Sequence, residues 1–94
     1  MGTNNKHIVK RKGHTEPYDS RKLFASIYAA CLSVRSTEGE AELVAAQVVK
    51  DVEIWLGKKH EVTAPDIRRM AAKHLKTYND NAGYMYANHR EWHR

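Results

Sequence analysis

Hydrophobic and polar positions along the chain follow two different rhythms. Residues 7–11 and 14–17 read as short extended segments, and alternation along the first puts Ile8 and Lys10 on one face. Gly13 between them supplies the permissive backbone of a tight turn. Pro17 disfavours helix at Glu16, and Asp19 or Ser20 can then cap a helix. From there the period lengthens. Leu23, Phe24, Ile27, Tyr28 and Cys31 form an apolar stripe on a helix expected over 20–32. Residues 33–39 read as a loop with a capping signal at its end. The longest periodic segment covers 38–56, with Val44, Val48, Val52 and Trp55 on one face and Ala45, Val49 and Leu56 widening it. Gly57 is a good stop for it. A third helix is expected from Thr63 or Ala64 to Asn79, with Pro65 in its first turn and Ile67, Met70, Ala71, His74, Leu75 and Tyr78 facing inward. The run Asn79-Asp80-Asn81 breaks that helix and can cap a fourth over 82–93.

Four apolar stripes joined by short connections need a common core, and the economical solution is a bundle. A lone hairpin is marginal in water, so it must lie across the bundle as a lid. The expected fold is therefore α+β and mostly helical, a four-helix bundle capped by a small two- or three-stranded β-sheet. A cleft between lid and helix ends would meet the free amide donors at the start of the first helix. Residues 1–6 are polar and aperiodic, and a disordered N-terminal tail is expected there, with one domain over 7–94. Ninety-four residues leave no room for a separate catalytic lobe. No apolar run approaches ~18 residues, and nothing resembles a signal peptide, so neither a membrane partner nor secretion is indicated. The single cysteine, Cys31, excludes an internal disulfide and falls on a core stripe, which fits a reducing, cytoplasmic setting.

The formal charge of +5 favours an anionic partner without saying which one. Its distribution says more. Lys10, Arg11 and Lys22 are drawn toward one region with two acids, Glu16 and Asp19, beside apolar Ile8 and Leu23. Charges of both signs against apolar surface suit a ligand with a polyanionic end and a flat, polar-edged end, which is the shape of a nucleoside triphosphate. The run Val9-Lys10-Arg11-x-Gly13-x-x-Glu16-Pro17-Tyr18-Asp19-x-x-Lys22-Leu23 resembles the opening signature of the ATP-cone domain. That module sits at the N-terminus of many ribonucleotide reductases and inside the repressor of their genes. The likeness continues through the later helices, and it makes residues 58–62 a third short strand beside the hairpin.

The resemblance implies an allosteric domain that binds ATP or dATP, with magnesium on the phosphates. It assigns the positions of Lys10 and Arg11 to the phosphates and points Lys22 into the same pocket from the first helix. Glu16 and Asp19 match positions on the base side, where a carboxylate can accept from the exocyclic amine of adenine. Ile8, Tyr18 and Leu23 match apolar contacts, and Val9 belongs to the same set. A polar position near the start of the third helix corresponds to Ala64 or its neighbour Thr63, and a His-like position to Arg68. A basic group late in the last helix corresponds to His89 or Arg90. The resemblance also implies an effector domain in cis or in trans and a nucleotide-dependent oligomer.

Other chemistries find less support. Gly57-Lys58 is no P-loop, because the glycine required upstream is Val52; the triphosphate would be sensed rather than hydrolysed. His89 and His93 have zinc-pair spacing, but the run His-Arg-Glu-Trp-His misplaces the acid of a metalloprotease helix and offers no third ligand, so no metal site is assigned. No nucleophile–base pair stands out, so no catalytic residue is named. The alternative reading is a basic nucleic-acid-binding module or a nucleotide-responsive transcription regulator. It rests on Arg69, Lys73 and Lys76 at i, i+4 and i+7, and on Lys10-Arg11-Lys12.

Overall fold

A computed structural model describes residues 8–11, 13–59 and 61–88. In chain order the elements are β1 (Ile8–Arg11), β2 (His14–Pro17), α1 (Ser20–Ser33), α2 (Glu38–Leu56), β3 (Glu61–Thr63), α3 (Ala64–Tyr78) and α4 (Asp80–Asn88). Gly13 turns the hairpin at φ 86°, where a side chain would be strained. The sheet has the order β2-β1-β3: β1 runs antiparallel to β2 and parallel to β3, with Lys10 opposite Thr15 on one side and Thr63 on the other. The expected third strand is present, shifted to start at Glu61 and to run straight into α3.

Connectivity places the sheet at one end of the bundle. α1 starts two residues after β2, α2 leads into β3, and α3 starts where β3 stops. α4 folds back along α3, and Tyr86 near its described end meets Ser26 in the first half of α1. The core runs from the sheet to the far end, through Val9, Val62, Leu23, Ile27, Cys31, Ala45, Val48, Val52, Leu56, Ile67, Ala71, Leu75 and Tyr86. Val9 and Val62, each 4% exposed, close the inner face of the sheet onto the helices. The sheet is thus packed against the bundle at its centre, through Val9 and Val62.

Several expectations shift for physical reasons. Tyr78 turns outward, 46% exposed, and its hydroxyl donates to Asp51 of α2 at 2.8 Å. α4 starts at Asp80 rather than Ala82, because Asn79 alone does both jobs. Its N–H bonds the Leu75 carbonyl to close α3, and its side chain accepts from the Ala82 N–H at 3.0 Å to open α4. The expected extension of α4 to residue 93 lies outside the described residues, as does the 1–6 tail. Gly57 does end α2, but in right-handed geometry with φ −59°.

Two backbone features carry most of the strain and closeness. α1 ends in a Schellman turn: the Arg35 N–H bonds the Leu32 carbonyl at 3.0 Å and the Ser36 N–H bonds the Cys31 carbonyl at 3.1 Å. Arg35 takes φ 70°, the left-handed geometry that glycine usually fills. At Gly83 the tight α3–α4 hairpin brings the backbones together, so an added Cβ would lie 2.9 Å from both N and Cα of Lys76.

Arg35→Gly should therefore stabilise the fold by about 0.5–1 kcal/mol, since relief of left-handed strain exceeds the entropy of the freer unfolded chain. Gly83→Ala should destabilise it by about 1–3 kcal/mol despite better helix propensity, because the obstacle is backbone and cannot rotate away. Urea melts of both variants check the two signs. A stabilised Gly83→Ala would show that the hairpin opens at little cost.

Candidate functional site

Among the described residues, those singled out by sequence lie in the sheet, the β2–α1 junction and the starts of α1 and α3, and they divide into core and surface. Val9, Tyr18, Leu23 and Ala64 are buried, between 3% and 7% exposed, and belong to the core cluster. Lys10 and Lys22 are exposed, and Glu16, Asp19 and Arg68 are half-buried. Ile8 and Arg11 lie in β1, where only their backbones are described; His89 and Arg90 lie outside the described residues.

Strand alternation explains the split on β1. Val9 points to the bundle, so Lys10 turns to the outer face of the sheet. There its Nζ lies 3.7 Å from Oε1 of Glu61 on the neighbouring strand. The inner-face partner of Val9 in the ladder is Glu16, which places that carboxylate on the bundle side of the hairpin.

The β2–α1 junction is built around Tyr18 and Asp19. Pro17 keeps the chain extended, and Tyr18 drops into the core with its hydroxyl donating to Oε2 of Glu53 at 3.0 Å. Burial, then the Glu53 charge, pushes the Tyr18 phenol far above its ordinary range, so it remains a neutral donor. Asp19 stays extended and caps α1 by accepting from the Arg21 N–H at 3.0 Å, with Arg21 Nε 3.8 Å away. Lys22 then follows in the first exposed turn. Asp19 thus has a structural duty beside the base-side role that the resemblance gives it.

α3 starts with the same division of labour. Thr63 and Asp66 form a capping box: the Asp66 N–H donates to the Thr63 hydroxyl at 3.2 Å, and the Thr63 N–H to Asp66 Oδ2 at 3.3 Å. Hydrogen bonding from Thr63, and secondarily from Arg69, holds the Asp66 carboxyl below its usual range. The Thr63 hydroxyl is therefore engaged in the cap, and Ala64 offers none. Arg68, one turn further on, lies close enough to Tyr86 for its charge to act on that phenol, which burial pushes up.

Four contributors escape the sequence pattern: Glu53, Ser26, Tyr86 and Glu61. Ser26 donates to the Leu23 carbonyl at 2.8 Å, so in the 3.1 Å Ser26–Tyr86 pair the tyrosine is the donor. With Tyr18–Glu53 this makes a polar layer across α1, α2 and α4 beneath the sheet. A tyrosine on an apolar stripe signals that its hydroxyl needs a partner. The sequence does not say which residue, because each partner comes from a different helix.

The nucleic-acid stripe on α3 is weaker than its spacing suggests. Lys73 and Lys76 are exposed, but Arg69 Nη2 sits 2.6 Å from Asp66. Among the described residues no group of three or more His, Cys, Asp or Glu could hold a metal ion, and no helix is long and apolar enough to cross a membrane.

Neither curated proteins nor solved structures give a match to this chain. The family model described as the ATP cone domain does match it, over residues 6–93. That span contains the hairpin, the Val9-to-Leu23 signature and all four helices, so the chain belongs to the ATP-cone family, a nucleotide-binding allosteric regulatory module.

Proposed function

We propose that the sheet end of the bundle binds ATP or dATP as an effector and passes its occupancy to an attached or associated protein in the cytoplasm, a ribonucleotide reductase being the partner that the family suggests. What supports this reading is the match to the ATP cone domain over residues 6–93, together with a signature carried by the sheet and the helix starts that adjoin it. Lys10 comes from the sheet, Asp19 and Lys22 from the start of α1, and Arg68 from the start of α3. Helix starts favour anions through free amides and the macrodipole, and the lysines and arginine add mobile charge. Glu16 and Asp19 supply acceptors for the adenine amine. The triphosphate would enter with magnesium, a metal that keeps phosphate oxygens and water as most of its ligands.

Such a site senses and does not hydrolyse. The sequence holds no glycine-rich P-loop to cradle the phosphates. A triphosphate bridges the sheet and the helix starts, whereas a monophosphate reaches fewer of these cations. Each charged contact is worth about 1.5–3 kcal/mol, so losing the terminal phosphates should weaken binding by one to two powers of ten or more. Signalling requires two states that the ligand binds unequally, and ordering of the hairpin against the bundle is the simplest such pair.

Calorimetric titration and thermal melting test the binding. Saturating ATP or dATP should raise the melting temperature by mass action, with no phosphate release at enzymatic rates. Lys10→Ala should lower affinity at least tenfold, while Lys73→Ala on the outer face of α3 should leave it unchanged. If both changes instead weaken salt-sensitive duplex binding alike, and ATP has no effect, the nucleic-acid reading replaces this one.

Hydrogen exchange tests the route from nucleotide to signal. Amides of residues 8–16 should gain strong protection with ATP and weaker protection with AMP. Equal protection in all three states would mean that the docked sheet does not respond to its ligand.

A further inference from the structure

The outer face of the sheet holds an acid that neither the sequence signature nor the proposed binding reaction calls for. Glu61 stands on β3 opposite Ile8, two positions before the Thr63 that faces Lys10. Its carboxylate is an ion partner of Lys10, at 3.7 Å, with side-chain exposures of 56% for the lysine and 49% for the glutamate. That separation is long for a charge-assisted hydrogen bond, which lies near 2.7–2.9 Å. A half-exposed pair of this kind is loose and readily exchanged.

We propose that Glu61 is a built-in competitor for the Lys10 ammonium, an anion that a nucleotide phosphate must displace before Lys10 can grip it. This rests on the reading that the sheet end binds a nucleoside triphosphate through Lys10. Two constraints keep the competitor in place. Val62, the next residue, is buried against the helices, and Thr63 after it is locked into the α3 capping box. Glu61 can swing its carboxylate aside but cannot withdraw its backbone, so its charge stays near any anion that Lys10 holds. The carboxylate therefore weakens binding twice, by occupying the lysine beforehand and by repelling the phosphates afterwards. Both effects fall on ligands whose phosphates reach Lys10 and spare those that do not. Glu61 would thus set the nucleotide concentration at which the domain responds and narrow the margin between triphosphate and monophosphate.

The test is calorimetric titration of the full chain and its Glu61→Gln variant with ATP and with AMP, at low and at physiological salt. Glu61→Gln should bind ATP about two- to fivefold more tightly than the unaltered chain, the worth of an exposed ion pair. The gain should be larger at low salt, and AMP should change by less than about 1.5-fold. In a Lys10→Ala background the gain from Glu61→Gln should shrink to the part that repulsion of the phosphates alone supplies. Glu61→Thr, which also suits a strand, should reproduce the gain and guards against a local folding defect in the glutamine variant. Unchanged or weaker ATP binding by both variants, while the unaltered chain binds ATP, overturns the inference. So does a gain that survives intact in the Lys10→Ala background, since the acid would then act as a general field rather than a competitor. If the unaltered chain and the variants alike bind no ATP, the proposed function itself fails, and this inference falls with it.

Discussion

The parallel pairing of β1 with β3 is the constraint on which the rest of this structure depends. A two-stranded hairpin is too small to persist alone, and a third strand with a sealed inner face makes it part of the fold. That third strand comes from the far side of two helices, so the pairing closes a long loop and fixes where α2 must end and α3 must begin. Val9 and Val62 sit opposite each other in this register and turn their side chains into the core together. Once they are buried, alternation leaves no freedom for Lys10 and Glu61, which must face outward side by side. The Lys10–Glu61 ion pair is a by-product of burying two valines.

Helix starts at the sheet end are under the same economy. Asp19 and Thr63 are the caps of α1 and α3, and both occupy positions at or beside those that the family resemblance gives to ligand contact. A carboxylate that caps a helix still has lone pairs to spare, because an ionised Asp can accept several hydrogen bonds. Asp19 can therefore hold its helix and meet a donor on the ligand. Thr63 uses one lone pair of its hydroxyl to accept from the Asp66 amide and keeps its O–H to donate, whereas its neighbour Ala64 brings only a methyl group. Beneath this surface, the Tyr18–Glu53 and Ser26–Tyr86 pairs tie three of the four helices to the β2–α1 junction. A displacement of the hairpin would be felt by α2 and α4 through hydrogen bonds as well as packing.

Much of this was legible in the amino-acid order, and the divide is physical. α2 is readable to the residue because capping by Thr37, a long apolar stripe and Gly57 all agree. Cys31 falls on the stripe of α1 and is fully buried, as its spacing implies. What local pattern misses is anything decided by another element. Tyr78 has the spacing of an inward residue, but its hydroxyl finds Asp51 at the surface of α2. Arg35 carries no sign of its left-handed backbone, because the Schellman bonds that impose it come from Cys31 and Leu32. Gly83 reads as an indifferent helix residue until Lys76 is seen against it. Glu61 is invisible as a partner of Lys10 because fifty residues separate them, and only the sheet register brings them together. The residues of the signature follow the same rule: their division between buried Val9, Tyr18 and Leu23 and exposed Lys10 and Lys22 is decided by how the elements pack.

Charge placement also decides what kind of anion suits this fold. The excess of positive charge is not spread over the molecule: α2 carries five carboxylates against one lysine, and α3 four cations against one carboxylate. A nucleic-acid duplex presents phosphates over a long, uniform surface and is best met by a long, uniform basic face. Here such a face would be limited to the outer side of α3, where Arg69 is already held by Asp66. A nucleotide concentrates its charge within a few ångströms, so it needs only a few cations converging from several elements. The sheet and the adjoining starts of α1 and α3 each carry a cation of the family signature or beside it, and the acids among them supply the contrast of sign that an extended polyanion could not use. Small-anion recognition is thus the reading that makes use of both the lysines and the glutamates.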